Sequence, residues 1–155
     1  MKSKSREKIT SLRQFYKGVC RFKEKIESDF LPARQEEEIR IKAIEKKIIN
    51  EVEKEYQIPY LLILQHKKES IRAKTMLLIL LARHSYFTHQ EIANKLKVTP
   101  SLISYRIRAF DAVLNKNGSR KQISDNKIFY EDGFMKRYRA MDRIITKYKR
   151  SLWQN

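Results

Sequence analysis

Glycine and proline are scarce, three of each in 155 residues, so the chain cannot furnish the many tight turns of an all-β fold. Helix-favouring Lys, Glu, Ile, Leu and Arg take their place. The single cysteine, Cys20, rules out an intrachain disulfide and fits a reducing compartment; a buried helical thiol is its expected state. The most apolar stretch, Thr75 to Ala82, falls well short of the roughly 20 residues needed to cross a bilayer. No charged-then-apolar leader opens the sequence, so a cytoplasmic location is expected.

Catalytic equipment is also missing. His66, His84 and His89 show no paired metal-ligand spacing, and so few glycines build no phosphate-cradling loop. Surface or helix-end positions are expected for the three histidines, with phosphate contact open to His84 and His89. Tyr105 has Arg106 and Arg108 beside it, but helical neighbours point about 100° apart, which does not assemble a phosphodiester-attacking site. The expectation is a non-enzyme with no cofactor, no metal and no small-molecule ligand.

Acidic side chains are outnumbered, 18 against 35 Lys and Arg, for a formal charge of +17. So large an excess on a small chain repels itself unless a polyanion is near, and nucleic acid is the expected partner. A membrane surface would call for bulky apolar residues left free for lipid. The excess is uneven: residues 30–69 carry eight charges of each sign, while residues 1–29, 70–119 and 120–155 carry +5, +6 and +6.

What the chain has in abundance is helical periodicity. Ile41, Ile44, Ile48, Val52 and Tyr56 recur every three or four residues and predict a long amphipathic helix closed by Pro59. Pro32 is expected to separate it from an N-terminal helix carrying Leu12, Phe15, Tyr16, Val19, Phe22 and Ile26. Tyr60 to Leu64 reads as a short helical turn. Ser70 is placed to cap a helix over Ile71 to Arg83, apolar on almost every face and hence central to the core. Asn115 to Lys127 reads as a linker, and Phe134, Tyr138, Met141, Ile145 and Tyr148 predict a C-terminal helix.

The segment Thr88 to Leu114 carries the functional signal. Thr88-His89-Gln90-Glu91 is a capping box opening a short helix to about Leu96. Three residues later Thr99 caps a second helix with Pro100 at its first position, which is the grammar of a helix-turn-helix. Ala93 permits a close crossing. On a wheel Ile103, Ile107, Phe110 and Leu114 face inward, leaving Ser101, Tyr105, Arg108 and Ala112 outward with Ser104 on the flank. An outward arginine suits guanine, Tyr105 and the serines suit bases or phosphates, and Arg106, nearer the buried edge, suits phosphate or an internal partner.

From about Ile44 to Leu114 this layout resembles the C-terminal DNA-binding domain of the bacterial chromosomal replication initiator protein DnaA. Ile48, Val52, Tyr56 and Ile58 resemble its first helix, Leu61 and Leu64 its linking turn, and Lys67, Lys68 and Arg72 its basic loop. The resemblance implies that Lys67, Lys68 and Arg72 touch phosphates or a neighbouring minor groove. The glycine-rich, box-reading signature of that family is replaced by Lys97-Val98-Thr99-Pro100-Ser101-Leu102, and no ATPase glycine loop accompanies it. A target other than the replication-origin box is therefore implied. The shorter segment Thr88 to Leu114 also resembles region four of sigma factors and related response-regulator domains.

The expected architecture is all-α: a helix-turn-helix core, DnaA C-terminal domain-like, with additional N- and C-terminal helices. Three parts are expected, a basic arm (1–34), the DNA-binding domain (35–115), and a linker with a basic helix (116–155). The expected function is sequence-specific binding of double-stranded DNA at the nucleoid, as a transcriptional regulator or an accessory factor of replication, recombination or a mobile element. Its expected contacts are Lys67, Lys68, Arg72, Lys97, Thr99, Ser101, Ser104, Tyr105, Arg106 and Arg108. The outer helices either pair into a homodimer or pack on the core. The alternative is an RNA-binding or ribosome-associated protein, stacking bases on Tyr16, Phe22, Tyr130, Tyr138 and Tyr148 beside Arg139.

Overall fold

The computed structural model describes residues 32–115, 127–131 and 133–154, and among them every regular element is a helix. The chain divides into two units, Met1–Ile39 and Arg40–Asn155. Of the first, residues 32–39 are described: they are helical, Pro32 included, and exposed. Cys20, the N-terminal helix expected around Leu12 to Ile26, and the linker residues 116–126 lie outside the described residues.

The second unit is built around a helix that has no solvent face along most of its length. Helix α1 covers residues 40–56, α2 Tyr60–Ile63, a single 3-10 turn Lys68–Ser70, and α3 Ile71–His84. Then follow α4, His89–Leu96; α5, Pro100–Leu114; α6, Lys127–Tyr130; and α7, Phe134–Trp153. Every residue from Ala73 to Leu81 of α3 is buried. Around it α1 contributes Ile44, Ile48 and Val52, α4 Ile92, Ala93 and Leu96, and α7 Phe134, Tyr138, Met141 and Ile145.

Helix α7 thus packs on the core of this unit. The join is aromatic: the Phe110 ring of α5 meets Tyr138 at 4.7 Å and Phe129 at 5.6 Å, both edge-on, and Phe129 meets Phe134 at 5.4 Å. Such pairs add to the area they bury. Of the α5 residues expected inward, Ile103 and Phe110 are buried, while Ile107 and Leu114 are half-buried against the core and Ala109 takes a buried place.

Two helix ends depart from or refine the sequence reading. Gln57 ends α1 in the left-handed conformation (φ 55°) two residues before Pro59. Ser70 does not cap α3, because its backbone is itself right-handed helical and its hydroxyl donates backwards to the carbonyls of Gln65 (3.0 Å) and Lys67 (3.1 Å). It locks the loop before α3 rather than satisfying the amides inside it.

His84 ends α3 as expected, but it is buried rather than open to phosphate. Its Nε2 donates to Asp142 Oδ1 (2.7 Å), and Tyr138 Oη donates to the same oxygen (3.2 Å). Burial pushes the Tyr138 phenol up to about 12, so it stays a donor. Burial also holds the His84 imidazole below its ordinary value; the Asp142 carboxylate pulls the other way, while Lys149 and Arg83 push with burial.

A depressed imidazole pKa means the unfolded chain takes up the proton first, so stability falls as pH drops below the ordinary histidine value of about 6.5. The thermal midpoint is expected to decrease between pH 7.5 and 5.5, and His84→Gln to flatten that decrease; a wild-type midpoint independent of pH would contradict it. Phe110→Ala is expected to cost about 3 to 5 kcal/mol in urea unfolding, because Phe129 and Tyr138 both lose the ring they pack against.

Candidate nucleic-acid interface

Helix α4 begins where its box is complete. Glu91 N donates to Thr88 Oγ1 (3.3 Å) and Thr88 N donates to Glu91 Oε2 (2.6 Å). The bonds from the Thr88 amide and hydroxyl hold the Glu91 carboxyl below its ordinary value. The helix ends in a Schellman turn, with Val98 N donating to Ala93 O (3.0 Å) and Lys97 N to Asn94 O (3.4 Å). Lys97 occupies the left-handed position (φ 54°, ψ 48°) where glycine is usual. Thr99 Oγ1 then accepts from Leu102 N (3.3 Å), and Pro100 starts α5.

This connection turns one face of α5 outward. Ser101, Tyr105 and Arg108 are exposed, and Tyr105 retains 43% of its surface. Arg108 Nε donates to Ser104 O at 3.4 Å, a long bond that leaves the outer guanidinium nitrogens unpartnered among the described residues. Ser104 is half-buried and its hydroxyl meets His89 Nδ1 at 3.0 Å. Thr99 is engaged as a cap. Leu102, 37% exposed, shares the outer surface near the start of the helix and was not singled out by the sequence. The one acid of α5, Asp111, lies toward the other end and is paired with Arg83 at 3.0 Å.

Beside α5 runs a cationic groove. One hollow is lined by His66, Ile71, Lys74, Leu102 and Arg106, among others, and a second by His66, Lys67, Lys68, Ser70, Ile71 and Lys74, with Gln65 at its rim. The two share His66, Ile71 and Lys74, and neither is lined by a carboxylate among the described residues. Lys67 and Lys68 line one hollow and Arg106 the other, with Lys74 common to both.

Lys74 is the residue that sequence reasoning missed. Only 8% exposed, its ammonium donates to Leu64 O (3.2 Å) and has no acidic partner among the described residues. Burial lowers its pKa, and repulsion from Lys97 lowers it further, which places a second cation within electrostatic reach. The available signal was a lysine inside the first turn of an otherwise apolar helix.

Arg72 is set apart from this group. It pairs with Glu131 and lines a different cleft with Tyr56, Lys127, Tyr130, Phe134 and Arg137, so it does not join Lys67 and Lys68. The proposed base-stacking set also breaks up: Tyr130 is exposed, Tyr148 is half-buried with Lys47 over its ring (5.7 Å), and Tyr138 is buried. Arg139 is exposed, and Tyr16 and Phe22 lie outside the described residues.

Lys97→Gly is expected to raise stability by up to about 1 kcal/mol in urea unfolding, since a side chain in the left-handed region costs roughly 1 to 2 kcal/mol and glycine returns part of that as lost chain entropy. A destabilised variant would show that the lysine side chain supports the turn. No family model, no curated protein and no solved structure matches the chain.

Proposed function

We propose that α4 and α5 form a helix-turn-helix that binds double-stranded DNA in a sequence-specific way, with α5 entering the major groove. The observation that carries this reading is the pair of hollows beside α5, free of carboxylates among the described residues, where Lys74, held out of water and repelled by Lys97, has among those residues only a carbonyl for a partner. A phosphate there offsets both the desolvation and the repulsion.

In this reading Lys67, Lys68, Lys74, Lys97 and Arg106 hold phosphates and fix the register, while Ser101, Tyr105 and Arg108 meet base edges. Leu102 suits a thymine methyl group. Ser104 and His89 act as a bonded pair that orients the flank of α5. The DnaA-like layout belongs to this proposal, with Arg72 withdrawn from the basic loop by its pairing to Glu131. Regulation of transcription, or an accessory role in replication, recombination or a mobile element, follows from duplex binding as the class of role. RNA binding is the weaker reading, because the aromatic residues that would stack bases are in part buried.

Selection from a random duplex pool is expected to recover a motif that relaxes at one base pair in Arg108→Ala, with discrimination there reduced by about 1 to 3 kcal/mol. Lys67→Gln with Lys68→Gln is expected to weaken binding to all sequences alike and to reduce the log-log salt slope by about 2. Equal retention of RNA and DNA, with no motif recovered, would sink the proposal.

A further inference from the structure

The outward face of α7 is lined by Lys136, Arg139, Arg143, Lys147 and Arg150, all exposed. Their spacings of three and four residues put them within an arc of about 80° at 100° per residue. The buried row Phe134, Tyr138, Met141 and Ile145 lies on the opposite side of the same helix. Among the described residues none of the five cations makes an ion pair, and α7 has no acid but Asp142, which is turned to His84 and Tyr138.

Like charges at these spacings destabilise a helix, so the row is a standing cost to the isolated fold. The other basic residues of α7 are engaged: Arg137 pairs with Glu55 (3.1 Å) and Lys149 covers the Tyr86 ring (5.3 Å). From Lys136 to Arg150 the row extends about 21 Å at 1.5 Å per residue. Over that length a duplex presents about twelve phosphate charges, at one per about 1.7 Å.

We infer that this face of α7 is a second contact surface for duplex DNA, binding the phosphate backbone without regard to sequence and independently of α5. Charge complementarity selects the occupant. A lipid surface would need apolar side chains beside the cations, and on this helix only Ile144 and Trp153 are large and exposed, with Arg40 already 4.6 Å over the Trp153 ring.

The test uses the full chain and a random-sequence duplex, followed by fluorescence anisotropy across a salt series. Replacing the five cations together by glutamine, a good helix former, is expected to lower the magnitude of the log-log slope by about 3 to 4.5, at roughly 0.9 for each phosphate released. Arg139→Lys, Arg143→Lys and Arg150→Lys together keep the charge and are expected to keep the slope, which separates charge from folding. An unchanged slope in the glutamine variant overturns the inference. So does a loss confined to single-stranded RNA or to phosphatidylserine vesicles while duplex binding persists. Arg108→Ala alters the recovered motif without altering this slope, so the two proposals fail separately.

Discussion

Helix α3 has to be covered on every side, and the remaining elements are arranged to do that. From Ala73 to Leu81 every residue is buried, a burial that one neighbouring helix cannot supply. Helices α1, α4, α5 and α7 each bring a row of apolar side chains to the shared core, and the aromatic join at Phe110 closes α5 to α7. The same requirement traps Lys74 and His84, one near each end of α3, in surroundings that disfavour their charged forms. At the His84 end Asp142 answers the need. At the Lys74 end, among the described residues, only the Leu64 carbonyl does.

The large positive charge is sorted by this packing into two populations. Lys47, Arg72, Arg83, Lys95 and Arg137 are spent on Glu51, Glu131, Asp111, Glu45 and Glu55, and several also cover aromatic rings. The four that join different elements link α1 to α4 and α7, and α3 to α5 and to Glu131 just past α6, at the surface where each contributes little on its own. Of the rest, one set lies in the hollows beside α5 and another along the outward face of α7, while Arg34, Lys42, Lys46, Lys54 and Lys127 lie elsewhere.

Local chemistry was legible in the sequence and tertiary chemistry was not. The Thr88 box, the Thr99 and Pro100 start, and the rows of α1 and α7 depend on residues within one or two turns of each other, so their spacing suffices. The DnaA-like layout implied a phosphate contact for Arg72 through its basic loop; its actual partner, Glu131, lies 59 residues away. His84 and Asp142 are 58 residues apart, and Arg83 and Asp111 are 28 apart, far beyond the reach of local spacing. Ser70 has the right residue type for a cap but the wrong backbone conformation, a choice made by the loop between α2 and α3. Whether α7 packs or pairs was open until the ring contacts between Phe110, Phe129 and Tyr138 were in view.

The account stands most directly on where a duplex touches the protein. Backbone amide shifts of the isotopically labelled chain, recorded while a short duplex is added at low salt, report this residue by residue. The largest changes are expected at 65–70, 74 and 97–108, with smaller ones along the outward row of α7 from Lys136 to Arg150, and with the core of α3 beyond Lys74 and the buried row of α1 unmoved. Saturable duplex binding that leaves 97–108 unshifted would contradict it.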